Sequence, residues 1–477
     1  MTLSRPNFIK LLGPVVVFCA LLGALLGLNG GGDGPAPGAA EGLVAPGADR
    51  SGALAAAAAN GADASAPGGD PIAILQAALR EDPSNVAAYA ALGDSYLEWA
   101  RTSGDPSFYS RAERAFDAAL WRDPRDPGAL IGAATLAGLR HDFSEQLHRG
   151  LEARRAAPDL ARPYTVIADA QLELGRYGQA ARSIQRLIDL KPGLAAYARA
   201  SYFRELTGDV HGAVEAMRLA TSAGGTPEGV AYVQVLLGDL QLQRGRLGAA
   251  RSAYLAALRL QPAYPRGLVG LARVEAAGGA FASAAARLRR ATDRLPLTSA
   301  LTLLAEVELA ASRQDAARAA VAAGRDDRGA ARAAVAAARA RRRGAGVALA
   351  AARAQHQLLR SSGALPDAEA VLFEANYGTP ASAVRLGRRV WAQAPSVRSA
   401  DALGWALTHA GRPREGYAFA RRALRLGSRD ALFRLHAGTA ALRAGLATEA
   451  RRHLEIAELG RAALSPRAVA LLEEALR

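Results

Sequence analysis

A period of about 34 residues constrains this chain more than any other feature. The best-formed copy runs from Ala231 to Pro262 and reads A-Y-V-Q-V-L-L-G-D-L-Q-L-Q-R-G-R-L-G-A-A-R-S-A-Y-L-A-A-L-R-L-Q-P. Two apolar runs with helical period flank the break Gly245-Arg246-Leu247-Gly248. Leu237 and Gly238 fall in the middle of the first run. Ala250, Tyr254 and Ala257 form one apolar stripe at i, i+4, i+7 on the second. Glycine costs a helix interior about 1 kcal/mol, so Gly238 predicts a close helix contact.

Copies of this pattern extend on both sides. Pro71 to Leu79 reads as a lone second helix with Leu75 and Ala78 on its buried stripe, capping the N-terminal end. The first full copy has Tyr89, Leu92, Gly93 and Tyr96, then Ala112, Phe116 and Ala119, closed by Pro124, with an insertion around residues 102–108. The second is weak, because Gly150 holds the large apolar position before Pro158. The third carries Ile167, Ala168, Gly175, Ala180, Ile184 and Pro192. The fourth has Tyr197, Gly208, Ala213, Met217 and Ala220, after which Thr226 and Pro227 read as N-cap and first helical residue of the fifth. The sixth ends at Pro296, and the seventh starts with Leu301, Leu304 and Ala305. There the period slips. Residues 316–323 and 330–337 are both A-A-R-A-A-V-A-A, 14 residues apart. That offset is close to four helical turns, so both octets are expected on one face of a lengthened or added helix. Arg339, Arg341, Arg342 and Arg343 read as a solvated helix end, with an anion site as the alternative. Regularity returns from Gly378 to Pro395. It continues through Leu403, Gly404, Gly411 and Ala423, then Gly438, Gly445, Ala450, Leu454 and Ala457. Pro466 to Arg477 forms a last helix exposing Glu473 and Glu474.

Leucine-glycine in the first helix, alanine, a large apolar residue and alanine in the second, and a closing proline resemble the tetratricopeptide repeat (TPR). The resemblance covers roughly residues 71–477. It implies an all-α, right-handed superhelical solenoid of about ten TPR-like helix pairs with a C-terminal capping helix. The expected organisation is a TPR solenoid over 71–323, an irregular Ala/Arg-rich helical segment over 324–361, and further repeats plus the capping helix over 362–477.

The N-terminus is of a different kind. Residues 1–10 carry Arg5 and Lys10 and no acid, and Leu11 to Leu28 holds 18 uncharged residues. As a helix these span about 27 Å, slightly short of a hydrocarbon core. Residues 1–29 therefore read as a membrane anchor, single-pass with the repeats on the extracytoplasmic side, or as a signal segment cleaved on secretion. Residues 30–70, rich in Gly, Ala and Pro and free of aromatics, read as a disordered linker with an r.m.s. span of roughly 35 Å. Cys19 is the one cysteine, so no intramolecular disulfide or cysteine metal site can form.

Catalytic chemistry finds no foothold. The only lysines, Lys10 and Lys191, follow no glycine, so a phosphate-binding loop is absent. The seven histidines make no His-Glu-x-x-His motif, and there is no Gly-x-Ser-x-Gly elbow. No cofactor or metal is expected, and the chain reads as a non-enzyme.

The resemblance also implies that the first helices of the repeats, here called A helices, line a concave groove for peptides or helices. The ninth repeat position lies on that face. It holds Asp94, Asp169, Asp239 and Glu306 in alternate copies, Thr135, Tyr202 and Arg273 between them, and Leu372, Trp405 and Thr439 beyond. Asp94, Asp169, Tyr202, Asp239, Arg273, Glu306 and Trp405 are thus the candidate partner-binding residues, in a locally acidic groove suited to an Arg- or Lys-bearing segment. The plainer reading is a solvated position that tolerates any polar residue. Asparagine is scarce, which disfavours a groove that clamps a terminal carboxylate. The functional expectation is an interaction scaffold docking a protein or peptide outside the cytoplasmic membrane. The alternative uses the net charge of +15, nearly all arginine, to bind a polyanion or membrane surface through the outer, convex face. No specific nucleic-acid recognition is expected.

Overall fold

The computed structural model describes residues 70–477, which contain 22 α-helices and no strand. In chain order these are α1 (Pro71–Glu81), α2 (Val86–Ser103), α3 (Tyr109–Arg122), α4 (Pro127–Leu139), α5 (Phe143–Ala156), α6 (Arg162–Glu173), α7 (Tyr177–Leu190), α8 (Leu194–Leu206), α9 (Val210–Ser222), α10 (Pro227–Gln243) and α11 (Leu247–Leu260). Then follow α12 (Pro265–Ala277), α13 (Phe281–Thr292), α14 (Thr298–Gly324), α15 (Arg328–Ser361), α16 (Ala368–Tyr377), α17 (Pro380–Gln393), α18 (Val397–His409), α19 (Pro413–Ala423), α20 (Ala431–Arg443), α21 (Ala447–Leu459) and α22 (Pro466–Leu476). Consecutive helices pack as pairs, which makes the fold an all-α helical-repeat solenoid. The segment 1–29 and the linker up to residue 69 lie outside the described residues. No described helix is long and apolar enough to cross a membrane.

Local chemistry sets the helix boundaries. Asn85, Asp126, Asp142 and Asp209 accept a hydrogen bond from the third residue beyond, and Thr226 Oγ1 likewise accepts from the Gly229 N–H at 2.9 Å. Between A and B helices the chain turns through a left-handed residue. At Gly245 φ is 69°, and the Arg246 N–H reaches back to the Gln241 carbonyl at 2.9 Å.

The repeated glycine has a specific use. A Cβ on Gly238 would collide with the Tyr254 ring, and so would one on Gly270 in the next A helix. Phe116 is wedged in the same way between Gly93 and Gly132. In these two repeats the large B-helix residue thus fills two glycine notches, one in its own repeat and one in the following repeat. Gly150, where a large residue was expected, meets Ile167 and Val166 of α6 instead, so the next helix fills the space.

The chain forms two compact units. The first holds the described residues up to Val233, with Leu359–Leu365 and Ala392–Ser396. Its core includes Leu97, Phe116, Ile131, Ile167 and Ile184. The second holds Gln234–Leu358, Pro366–Trp391 and Val397–Arg477. Within it the last helix does more than close an end. α22 packs on α20 and α21 and also on α14, and residues 461–463 lie against α12.

The slipped region departs from expectation. Residues 328–361 form one uninterrupted helix, and α14 runs for 27 residues, about twice the usual length here. The octets do not share a helix: a turn at residues 325–327 separates them, so they occupy opposed arms of a hairpin. Asp326 takes φ 60° in that turn, and Asp327 caps α15 by accepting from the Ala330 N–H at 2.9 Å. The arginine cluster is not a helix end either, because Arg339–Arg343 sits mid-helix. Arg341 there bonds Asp315 and Glu308 of α14.

Candidate partner-binding surface

The ninth-position residues lie on A helices; Asp94 and Asp239 directly follow the notch glycines Gly93 and Gly238, while Asp169, Tyr202, Arg273 and Glu306 follow Ala168, Ser201, Ala272 and Ala305. Asp169 on α6 is wholly buried. Arg199 on α8, also buried, donates to both its oxygens, Nε to Oδ1 at 2.9 Å and Nη2 to Oδ2 at 2.7 Å. Burial pushes the Asp169 carboxyl up to about 6, against the pull of Arg199. Asp94 on α2 is more open, its side chain 26% exposed, with Arg162 Nη2 at 3.8 Å. Tyr202 on α8 is buried.

In the second unit, Asp239 on α10 pairs with Arg273 on α12 and accepts from the Tyr254 hydroxyl at 2.7 Å. Arg273 also reaches the Ala463 carbonyl at 3.4 Å. Glu306 on α14 is buried and accepts from the Tyr377 hydroxyl at 2.6 Å. Burial, reinforced by Glu306, holds that phenol far above its ordinary range. Trp405 on α18 is buried, and its indole N–H donates to Asn376 Oδ1 at 3.0 Å. Its ring stacks on His436 at 4.1 Å and meets His409 edge-on at 4.4 Å.

The structure therefore gives most of these residues a partner within their own unit. Asp169 and Arg199 are 30 residues apart, Asp239 and Arg273 are 34 apart, and Asp401 and His436, joined at 2.9 Å, are 35 apart. Each acid reaches a basic residue on the next A helix. Sequence reading found Asp169, Asp239 and Arg273 and missed Arg199, Asp401 and His436; the signal was a basic residue about one period beyond each of these three acids. His409 adds a related feature. Burial, with Arg443, Arg467 and His436 nearby, lowers its imidazole to about 4, so it is neutral at pH 7.

Such stacked helix pairs define a helical-repeat fold. The family model of the tetratricopeptide repeat matches residues 161–193 and 231–264, so the chain carries TPR repeats. No curated protein matches. Among solved structures, a tetratricopeptide repeat protein from Parabacteroides merdae is similar at 14% identity, covering 47% of this chain and 85% of that one, with a TM-score of 0.38. Pseudomonas aeruginosa pilF is similar at 18% identity, over 46% and 95% of the chains, with a TM-score of 0.33. YrrB, described as a TPR protein with an unusual peptide-binding site, is similar at 15% identity over 46% and 92%, with a TM-score of 0.23.

Proposed function

We propose that this protein is a non-enzymatic scaffold that docks a protein or peptide along the A-helix face of its repeats. The supporting observation is the set of acid–base pairs one repeat apart. They hold neighbouring A helices in register, and a surface ordered in advance loses less entropy on binding. In this reading Asp169, Tyr202, Glu306 and Trp405 shape the face from within, while Asp239 and Arg273, partly exposed, are taken up by each other. Asp94, partly exposed, is the member placed to meet a cationic side chain. Residues 1–29 anchor the protein or direct its secretion, and 30–70 tether the repeats on the extracytoplasmic side; N-terminal sequencing of the mature protein distinguishes the two.

The test is Asp94→Lys in the full chain, with affinity measured for a partner first captured by the wild type. A loss of tenfold or more is expected, and unchanged affinity sinks the face assignment. The competing use of the arginines on a polyanion is separated by salt. Phosphate-dominated binding falls by orders of magnitude between about 50 and 200 mM salt, whereas the proposed docking declines far less.

A further inference from the structure

The α14–α15 hairpin leaves one helix face uncovered. α15 turns Ala338, Ala345, Ala348 and Ala352 toward the protein, and Ala345 and Ala348 pack with Leu304, Ala305 and Val307 of α14. Its opposite face carries Arg332, Val335, Arg339, Arg343 and Val347 at spacings of 3, 4, 4 and 4, all exposed. Val335 is 40% exposed and Val347 is 70% exposed. At 1.5 Å per residue the stripe is about 22 Å long. None of its three arginines has an ion-pair partner among the described residues. Arg341, between Arg339 and Arg343 in sequence but on the inner side of the helix, is spent on Asp315 and Glu308.

The two octets sharpen the point. In the first, Ala319 is buried and Ala322 half-buried; in the second, Ala331, Ala334 and Ala337 are half-buried. Numbered from each octet's start, these are positions 4 and 7 against 2, 5 and 8. The same sequence thus meets its neighbour through two different alanine faces. In both arms the arginine and the valine stay outside, with Val321 56% exposed.

We propose that the outer face of α15 is a second docking surface, and that its occupant is an acidic amphipathic helix of a partner protein, about four turns long. It is separate from the A-helix face and does not depend on that assignment. Small alanines flanking the stripe let a helix approach closely, the valines give it apolar anchors, and three uncommitted arginines select glutamate and aspartate on its edges. A second copy of this chain fits poorly, since the stripe holds no acid to face its own arginines. A lipid surface fits poorly as well, because binding in a headgroup layer calls for Trp, Phe or Leu.

The probe is a fluorescein-labelled 16-residue peptide of Ala, Leu and Glu, patterned as an amphipathic helix and titrated into the full chain by anisotropy. Three controls accompany it: the same peptide with Lys for Glu, the same composition broken by two prolines, and vesicles of anionic phospholipid. Saturable binding of the intact acidic helix is expected, with at least a tenfold loss in R332E/R339E/R343E and in V335D/V347D. Both variants should keep the wild-type helical circular dichroism and melting temperature. The proposal is overturned by no saturable binding, by equal binding of the proline-broken peptide, or by undiminished binding in the arginine variant. Vesicle binding that the same substitutions abolish, with no binding of the helix, assigns the stripe to lipid and overturns it too.

Discussion

The A helices and the α14–α15 hairpin both carry charge in an alanine-rich setting, and they use it oppositely. On the A helices Asp169 and Asp239 are bonded to Arg199 and Arg273 a repeat later. On the hairpin Arg332, Arg339 and Arg343 face outward, without an ion pair among the described residues. Charge buried between elements resists substitution because its removal strands a partner. Charge left outside contributes little to stability and is free to bind.

The largest effect expected from this contrast is at Arg199. Arg199→Ala leaves Asp169 buried without its partner and should cost about 3–5 kcal/mol in urea unfolding at pH 7. The sign with pH follows from Asp169 itself. Its folded value, about 6, lies above its unfolded value, so the folded state binds the extra proton and stability from this group falls as pH rises from about 4 to 6. Arg199→Ala should therefore be least damaging near pH 4, and wild type should lose stability relative to Asp169→Asn across that window. A pH-independent difference would show that the pair is not the source.

Next come the notches. Gly238→Ala or Gly270→Ala drives a methyl into the Tyr254 ring, and each should cost about 1–3 kcal/mol, read from the shift in unfolding midpoint. At His409 the depressed value works in the other direction: its contribution is present at pH 7 and declines as pH falls from about 6.5 to 4. An NMR titration should find this imidazole near 4; a midpoint at 6.5 would mean that it is neither buried nor crowded by Arg443 and Arg467. The smallest effect belongs to the hairpin, where neutralising Arg332, Arg339 and Arg343 should shift stability by less than about 0.5 kcal/mol each. A larger loss would show that they are structural after all and erase the contrast.

The packing grammar was legible because it repeats. Gly238 forecast a tight contact, and Thr226 forecast a cap. The second glycine notch was not, since Gly270 faces Tyr254 only once the next repeat stacks. Asp169 and Asp239 were found and their surroundings were not, because each is covered by a basic side chain about a full period away. The octets misled for a plainer reason. Alanine favours helix everywhere, so periodicity could not see the turn at 325–327, although Asp326-Asp327 before Ala330 is an ordinary start signal.

The return of α22 to α14 bears on how the second unit comes apart. Helical repeats that touch only neighbours lose structure piecemeal, each boundary a place to fray. Here the Arg467 guanidinium lies 5.5 Å over the Tyr377 ring, and Tyr377 in turn bonds Glu306. The first turn of α22 is thereby latched to helices far upstream. Closing so long a loop slows folding, but once made, the latch denies the C-terminal pairs an independent melting step, and the unit should unfold as one cooperative block.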